Sequence, residues 1–146
     1  MLALKQEVEG ILSDLNPGPI SRPEFNLLLN TQFVAKGWQS QPPVFDDPGD
    51  PAAKMDFLKG RVGIEVGFGH ASFLGIDLLK FQVSSYSALD KIDVGIYIAT
   101  TSAFQRAMLK QGKNWEGSLN FEKIVKYLPH FKSAIQVPIY VLGIDA

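Results

Sequence analysis

Met55-Asp56-Phe57-Leu58-Lys59-Gly60-Arg61-Val62-Gly63-Ile64-Glu65-Val66-Gly67-Phe68-Gly69 is the stretch on which the fold turns. Apolar residues recur at every second position: Met55 and Phe57, then Val62, Ile64, Val66 and Phe68. Period two marks a strand with one buried face, and Gly60-Arg61 supplies a tight turn, so the stretch reads as a hairpin. A two-residue turn there fixes the register: Lys59 faces Val62, Phe57 faces Ile64 and Asp56 faces Glu65. Directly opposed residues hold their Cβ atoms ~4.5–5.5 Å apart on one face, so two carboxylates repel unless a cation or a proton lies between them. Oxygen-rich sites of this kind suit Mg²⁺, which takes one or two carboxylates with phosphate and water. Gly63, Gly67 and Gly69 share the face of Glu65 and clear it for a ligand or another backbone. A surface hairpin with one apolar and one polar face produces the same alternation without any site.

Outward from the hairpin, Leu4, Val8, Ile11, Leu12 and Leu15 form the stripe of an amphipathic helix over residues 2–15, ended by Asn16-Pro17-Gly18-Pro19. Ser21 and Glu24 form a capping box for a second helix that carries Phe25, Leu28, Leu29 and Phe33 and stops at Gly37. Residues 38–53 read as a long loop in which Trp38 is a core anchor. Asp46, Asp47 and Asp50 lack the spacing of a calcium loop and read as polar loop residues. Residues 71–83 read as a buried helix, 92–100 as a strand, and 102–110 and 119–128 as helices, with Trp115 packed under a loop. The last segment, 137–144, is apolar on both faces, which predicts a central strand in a covered sheet. The order ααββαβ(α)αβ predicts one α/β domain over residues 1–146, a mixed sheet flanked by helices.

Composition narrows the chemistry. No cysteine is present, which removes disulfides, thiolate metal sites and cysteine nucleophiles. His70 and His130 are the two histidines, too few for a three-histidine zinc site. A net charge of −1 does not by itself point to nucleic acid. Apolar runs fall short of the ~18–20 residues of a membrane span, and the first ten residues are no secretory signal, so a cytoplasmic chain is expected. Neither a phosphate-binding glycine loop nor a nucleophile elbow occurs. Arg106, Lys110 and Lys113 fall at i, i+4 and i+7, as either a phosphate-contacting strip or a solvated helix face.

The hairpin resembles the active-site hairpin of BglII-type restriction endonucleases, members of the PD-(D/E)xK nuclease superfamily. The resemblance runs from about Asn26 to Ile144 and takes in Gly37-Trp38, Asp93-Val94-Gly95-Ile96 and Val137-Pro138-Ile139-Tyr140-Val141-Leu142-Gly143-Ile144. It implies a restriction-endonuclease-like mixed sheet and DNA cleavage dependent on Mg²⁺ or Mn²⁺, by a homodimer because two strands need two sites. Asp56 and Glu65 match the family's metal-binding acids, and the carbonyl of Val66 is implied as a further ligand. The third catalytic position, lysine in the superfamily and often glutamine or glutamate in BglII-type enzymes, falls on Gly67. Lys59 and His70, followed by Lys80, are the candidates to replace it. Each has a structural alternative: Lys59 solvating a turn, His70 capping the turn into the next helix, Lys80 snorkelling at a helix edge. Asp77 either supports the carboxylate site from its helix or is a solvated helical residue, and the second reading is preferred. BglII-type enzymes usually continue beyond the closing strand, so a sequence stopping at Ala146 implies a reduced DNA-reading apparatus. The competing function is a catalytically inactive relative that binds DNA or another protein.

Overall fold

The computed structural model describes residues 2–44, 54–86 and 89–146. The hairpin forms in the register that its turn dictates: β2 (Phe57–Lys59) and β3 (Val62–Val66) pair antiparallel, with Phe57 opposite Ile64 and Lys59 opposite Val62. Gly60 takes φ +57° at the turn, where a side chain would be strained. Arg61 beside it is clamped by the carboxylates of Asp90 and Asp93, which ties the turn to the start of the next strand. A two-residue strand, β1 (Gln39–Ser40), adds to β2 inside the segment read as loop. Two residues are too short to show a period. Asp46, Asp47 and Asp50 lie outside the described residues.

β4 (Val94–Thr100) and β5 (Ile139–Ile144) continue the sheet in parallel, giving the order β1-β2-β3-β4-β5. The sheet is therefore mixed. Parallel neighbours need crossovers, supplied by α3 (Leu74–Ser85) between β3 and β4, and by α4 (Ser102–Lys110) and α5 (Phe121–Tyr127) between β4 and β5. A 3₁₀ turn at Ala71–Phe73 leads into α3, and a second at Leu128–Phe131 carries the chain past Pro129 after α5. Proline lacks only a donor that a first turn does not need, so it continues the chain there instead of ending it.

The expectation of a central final strand is corrected: β5 is an edge strand, and β3 is the middle one. Its two apolar faces have a different cause. Leu142 and Ile144 pack on one core cluster while Ile139 and Val141 pack on the other. Apolar alternation reports cover above and below a sheet, not a neighbour along it.

Helices on both faces make two cores. On one side α1 (Leu2–Ser13) and α2 (Arg22–Ala35) bury Val8, Phe25, Leu29 and Phe33 against Ile64, Ile96 and Ile98. Ser21 caps α2, accepting from the Glu24 N–H, and its hydroxyl donates to the Glu24 carboxylate. Trp38 is buried here with its indole N–H donating to Glu7, and Trp115 donates to the Ile20 carbonyl. On the other side Leu74, Leu78 and Phe81 of α3 and Ile124 of α5 cover Tyr97 and Ala99 of β4. Alternation along β3 sends Ile64 into the first core and Glu65 toward the second. A carboxylate thus lies in an apolar layer.

Candidate active site

Glu65 is 1% exposed in the middle strand. Its neighbour across the β3–β4 pairing is Tyr97, and above both lies the first half of α3. Asp77 and Lys80, one helical turn apart, reach down from that helix. Lys80 Nζ lies 3.0 Å from Glu65 Oε2 and 3.4 Å from Asp77 Oδ1, and it also donates to the Lys54 carbonyl. The Tyr97 hydroxyl donates to Asp77 Oδ2 at 2.5 Å. Asp56, one residue before β2, accepts the Val66 N–H on Oδ2 at 2.7 Å, and its carbonyl accepts the Gln41 N–H. Both the side chain and the backbone of Asp56 are therefore fixed.

Glu65 Oε1 is buried with no hydrogen-bond partner among the described residues. An orphan acceptor at such depth costs free energy until something positive or protonated meets it. Burial first, and then the charge of Asp56, push the Glu65 carboxyl up to about 10, against the pull of Lys80. Burial also raises Asp77, although its bond from Tyr97 works the other way. Lys80 is disfavoured as a cation by burial, but Glu65 and Asp77 outweigh that and raise it. Tyr97 is raised by burial and by Asp77.

A stability consequence follows for the metal-free protein. Between its ordinary value of 4.5 and about 10, folded Glu65 holds a proton that the unfolded chain releases. Its contribution is fully present below the lower value and is lost as pH rises through the window. Denaturation midpoints in a chelator at pH 5, 7 and 9 are expected to fall, and Glu65→Gln to flatten that fall. An unchanged slope in the variant would assign the proton elsewhere.

Asp56 and Val66 also line an open groove of about 430 Å³ shared with Asn26, Asn30, Ser40 and Gln41. Its lining mixes these polar groups with Leu27, Leu29 and Phe57, and Asp56 is its one charged residue among the described residues. Val66 thus sits at the carboxylates and gives its N–H to one of them.

The other candidates lie elsewhere. Lys59 stands at the turn end of the hairpin, bonded to Glu7 at 2.8 Å and to the Lys36 carbonyl at 2.7 Å. Three residues of strand, ~10 Å, separate its partner Val62 from Glu65. His70 caps the 3₁₀ turn, its Nδ1 accepting the Ser72 N–H, and its backbone bridges to Ser118. Neither side chain meets the carboxylates, whereas Lys80, ranked behind both, does. Asp77 is a half-buried acceptor rather than a solvated residue. Arg106 borders a separate hollow with Trp115 and Glu116, and Lys113 pairs with Glu24. Tyr97 went unnoticed in the sequence. Its only signal was its place in a strand otherwise apolar from Val94 to Ile98.

The family model described as restriction endonuclease BglII/BglIII matches residues 4–144. No curated protein matches. Among solved structures, restriction endonuclease BglII complexed with a DNA 16-mer is similar, with a TM-score of 0.77 at 20% identity. The match covers 99% of this chain and 70% of that one. At that identity the likeness shows the fold, a restriction-endonuclease fold with a mixed sheet between helices.

Proposed function

This chain belongs to the BglII/BglIII family of restriction endonucleases, and we propose that it is a divalent-metal-dependent DNA endonuclease that works as a homodimer. The observation that carries this reading is Oε1 of Glu65, buried with no partner among the described residues on a carboxyl that feels the charge of Asp56. Two hard oxygen donors suit Mg²⁺ or Mn²⁺, and an ion there would replace the proton that Glu65 otherwise keeps. Asp56 and Glu65 would hold it, with the Val66 carbonyl as a third donor. Once bound, such an ion polarises a scissile phosphate and lowers the pKa of an attacking water. The chain's own groups do the rest. The Val66 N–H fixes the Asp56 carboxylate, Glu65 lies out of bulk water, and Lys80 presents a cation where charge develops on the phosphate. The groove past Asn26 and Asn30 takes the strand being cut.

A second copy has a surface to meet. Ile76 and Leu79 lie at i and i+3 on α3, with Tyr86 at the cap that ends the helix, and Leu74, Leu78 and Phe81 of the same helix are turned into the core. Ile76, Leu79 and Tyr86 are roughly half or more exposed. An exposed apolar patch of this kind is one that a second copy can cover, and two copies joined there each bring one site to the two strands of a duplex.

Gly67 favours the second reading, a catalytically inactive module that binds DNA or protein, because no side chain stands at the third position. Supercoiled plasmid separates the two. With Mg²⁺ or Mn²⁺ the wild type is expected to yield linear DNA that a chelator prevents, and Leu79→Glu to yield mainly nicked circles. Binding without cleavage under both ions would sink the enzyme reading.

A further inference from the structure

The absence of a side chain at position 67 has a steric cause. A Cβ built on Gly67 would lie 2.7 Å from Cε1 of Tyr97 and 3.2 Å from Cδ2 of Leu119. Real Cβ atoms do not approach a ring that closely, and this ring has nowhere to go. Tyr97 is 0% exposed and lies edge-on to Phe81, with ring centroids 5.8 Å apart. No polar group can therefore enter the site from β3 beyond Glu65. What the ring displaces, its hydroxyl helps to replace: it donates to Asp77 Oδ2, the other oxygen of Asp77 faces Lys80, and Lys80 returns to Glu65. The bonds form a chain that runs from β4 through α3 to β3, whose two ends, Tyr97 and Glu65, are neighbours in the strand pairing. Lysine on its own is a flexible four-carbon stem that carries its charge toward water wherever it can. Half-buried Lys80 is held inward by an acid that is itself held by a phenol on the neighbouring strand.

We infer that Tyr97 and Asp77 are the positioning pair of this nuclease site: Tyr97 fills the space of a third side chain at position 67, just past β3, and with Asp77 it aims Lys80 from α3 at the place that side chain would have served. The inference rests on the nuclease reading for its catalytic consequence and on geometry alone for its placement. Both can be read separately.

Single-turnover cleavage is measured for Asp77→Asn, Tyr97→Phe, Lys80→Ala and the two doubles that contain Lys80→Ala. Asp77→Asn is expected to slow the chemical step about 10–100-fold, the range for groups that orient another ligand or base, with DNA affinity unchanged. Tyr97→Phe, which keeps the ring, is expected to slow it several-fold. On the Lys80→Ala background neither should cost anything more, because the pair acts through Lys80. Losses that multiply in the doubles would overturn the inference.

Two readouts need no activity. Acylation of Lys80 by an amine reagent, followed by mass spectrometry, should rise several-fold in Asp77→Asn. The drop in melting temperature caused by Gly67→Ala should shrink by at least half in a Tyr97→Leu background. Unchanged labelling together with an undiminished drop would refute the placement whatever the enzyme does. A wild type that cuts no DNA, with Lys80 protected and the drop reduced, would refute the nuclease reading and leave the placement standing.

Discussion

Glu65→Gln is expected to abolish metal-dependent cleavage while leaving the fold intact. The amide keeps the shape of the carboxyl but supplies neither its negative charge nor a second oxygen. Asp56→Ala should be equally inactive. Both losses should exceed the roughly 10²–10³-fold cost of deleting one preorganised donor, because each removes a ligand on which the whole step depends. DNA affinity measured in Ca²⁺ should change little. Unfolding gives an independent check: Mg²⁺ should raise the melting temperature of the wild type but not of Glu65→Gln, since only a ligand of the native state shifts that equilibrium. An equal rise in both proteins would place the ion away from this pair. Retained cleavage in either variant would remove the site altogether.

Lys80→Ala is expected to lower the cleavage rate about 10²–10³-fold, the cost of losing one charge aimed at the transition state. Lys59→Ala and His70→Ala are expected to stay within about threefold of the wild type in rate, since neither touches a carboxylate of the site. Their cost should be structural. Lys59 joins Glu7 as a pair that is 30% exposed on each side, and its removal should destabilise the fold by about 0.2–1 kcal/mol. A collapse of activity in Lys59→Ala with Lys80→Ala unimpaired would reverse the assignment.

The difference between these lysines shows which features the sequence made legible. The pairing of the hairpin was readable because a two-residue turn and a period of two leave one register, and Phe57 does lie opposite Ile64. Local geometry was sufficient there. Lys59 looked close to Glu65 because it belongs to the same hairpin, but strand direction carries it to the far end. Lys80 looked remote because it lies 15 positions from Glu65, and only the docking of α3 on β3 and β4 brings it back. Side chains that meet through a crossover leave no mark in a window of residues. The same holds for Tyr97 and Gly67: an absent side chain signals open space just as well as space already taken. The position of β5 was misread for a related reason, since its apolar faces record the helices that cover them. β1 left no trace at all, being two residues long.

The residues that bear the proposed chemistry, from Asp56 and Glu65 through Asp77 and Lys80 to Tyr97, all lie in one continuous run that starts one residue before β2 and passes through β3 and α3 to β4. No part of that set comes from before Asp56, from the turn after α4 or from anything beyond β4. Reaction and recognition can therefore diverge independently along the gene. Insertions or exchanges in the outlying connections would alter which duplex is gripped while the hydrolytic segment descends intact, and a recombination boundary on either side of it would transplant the chemistry whole.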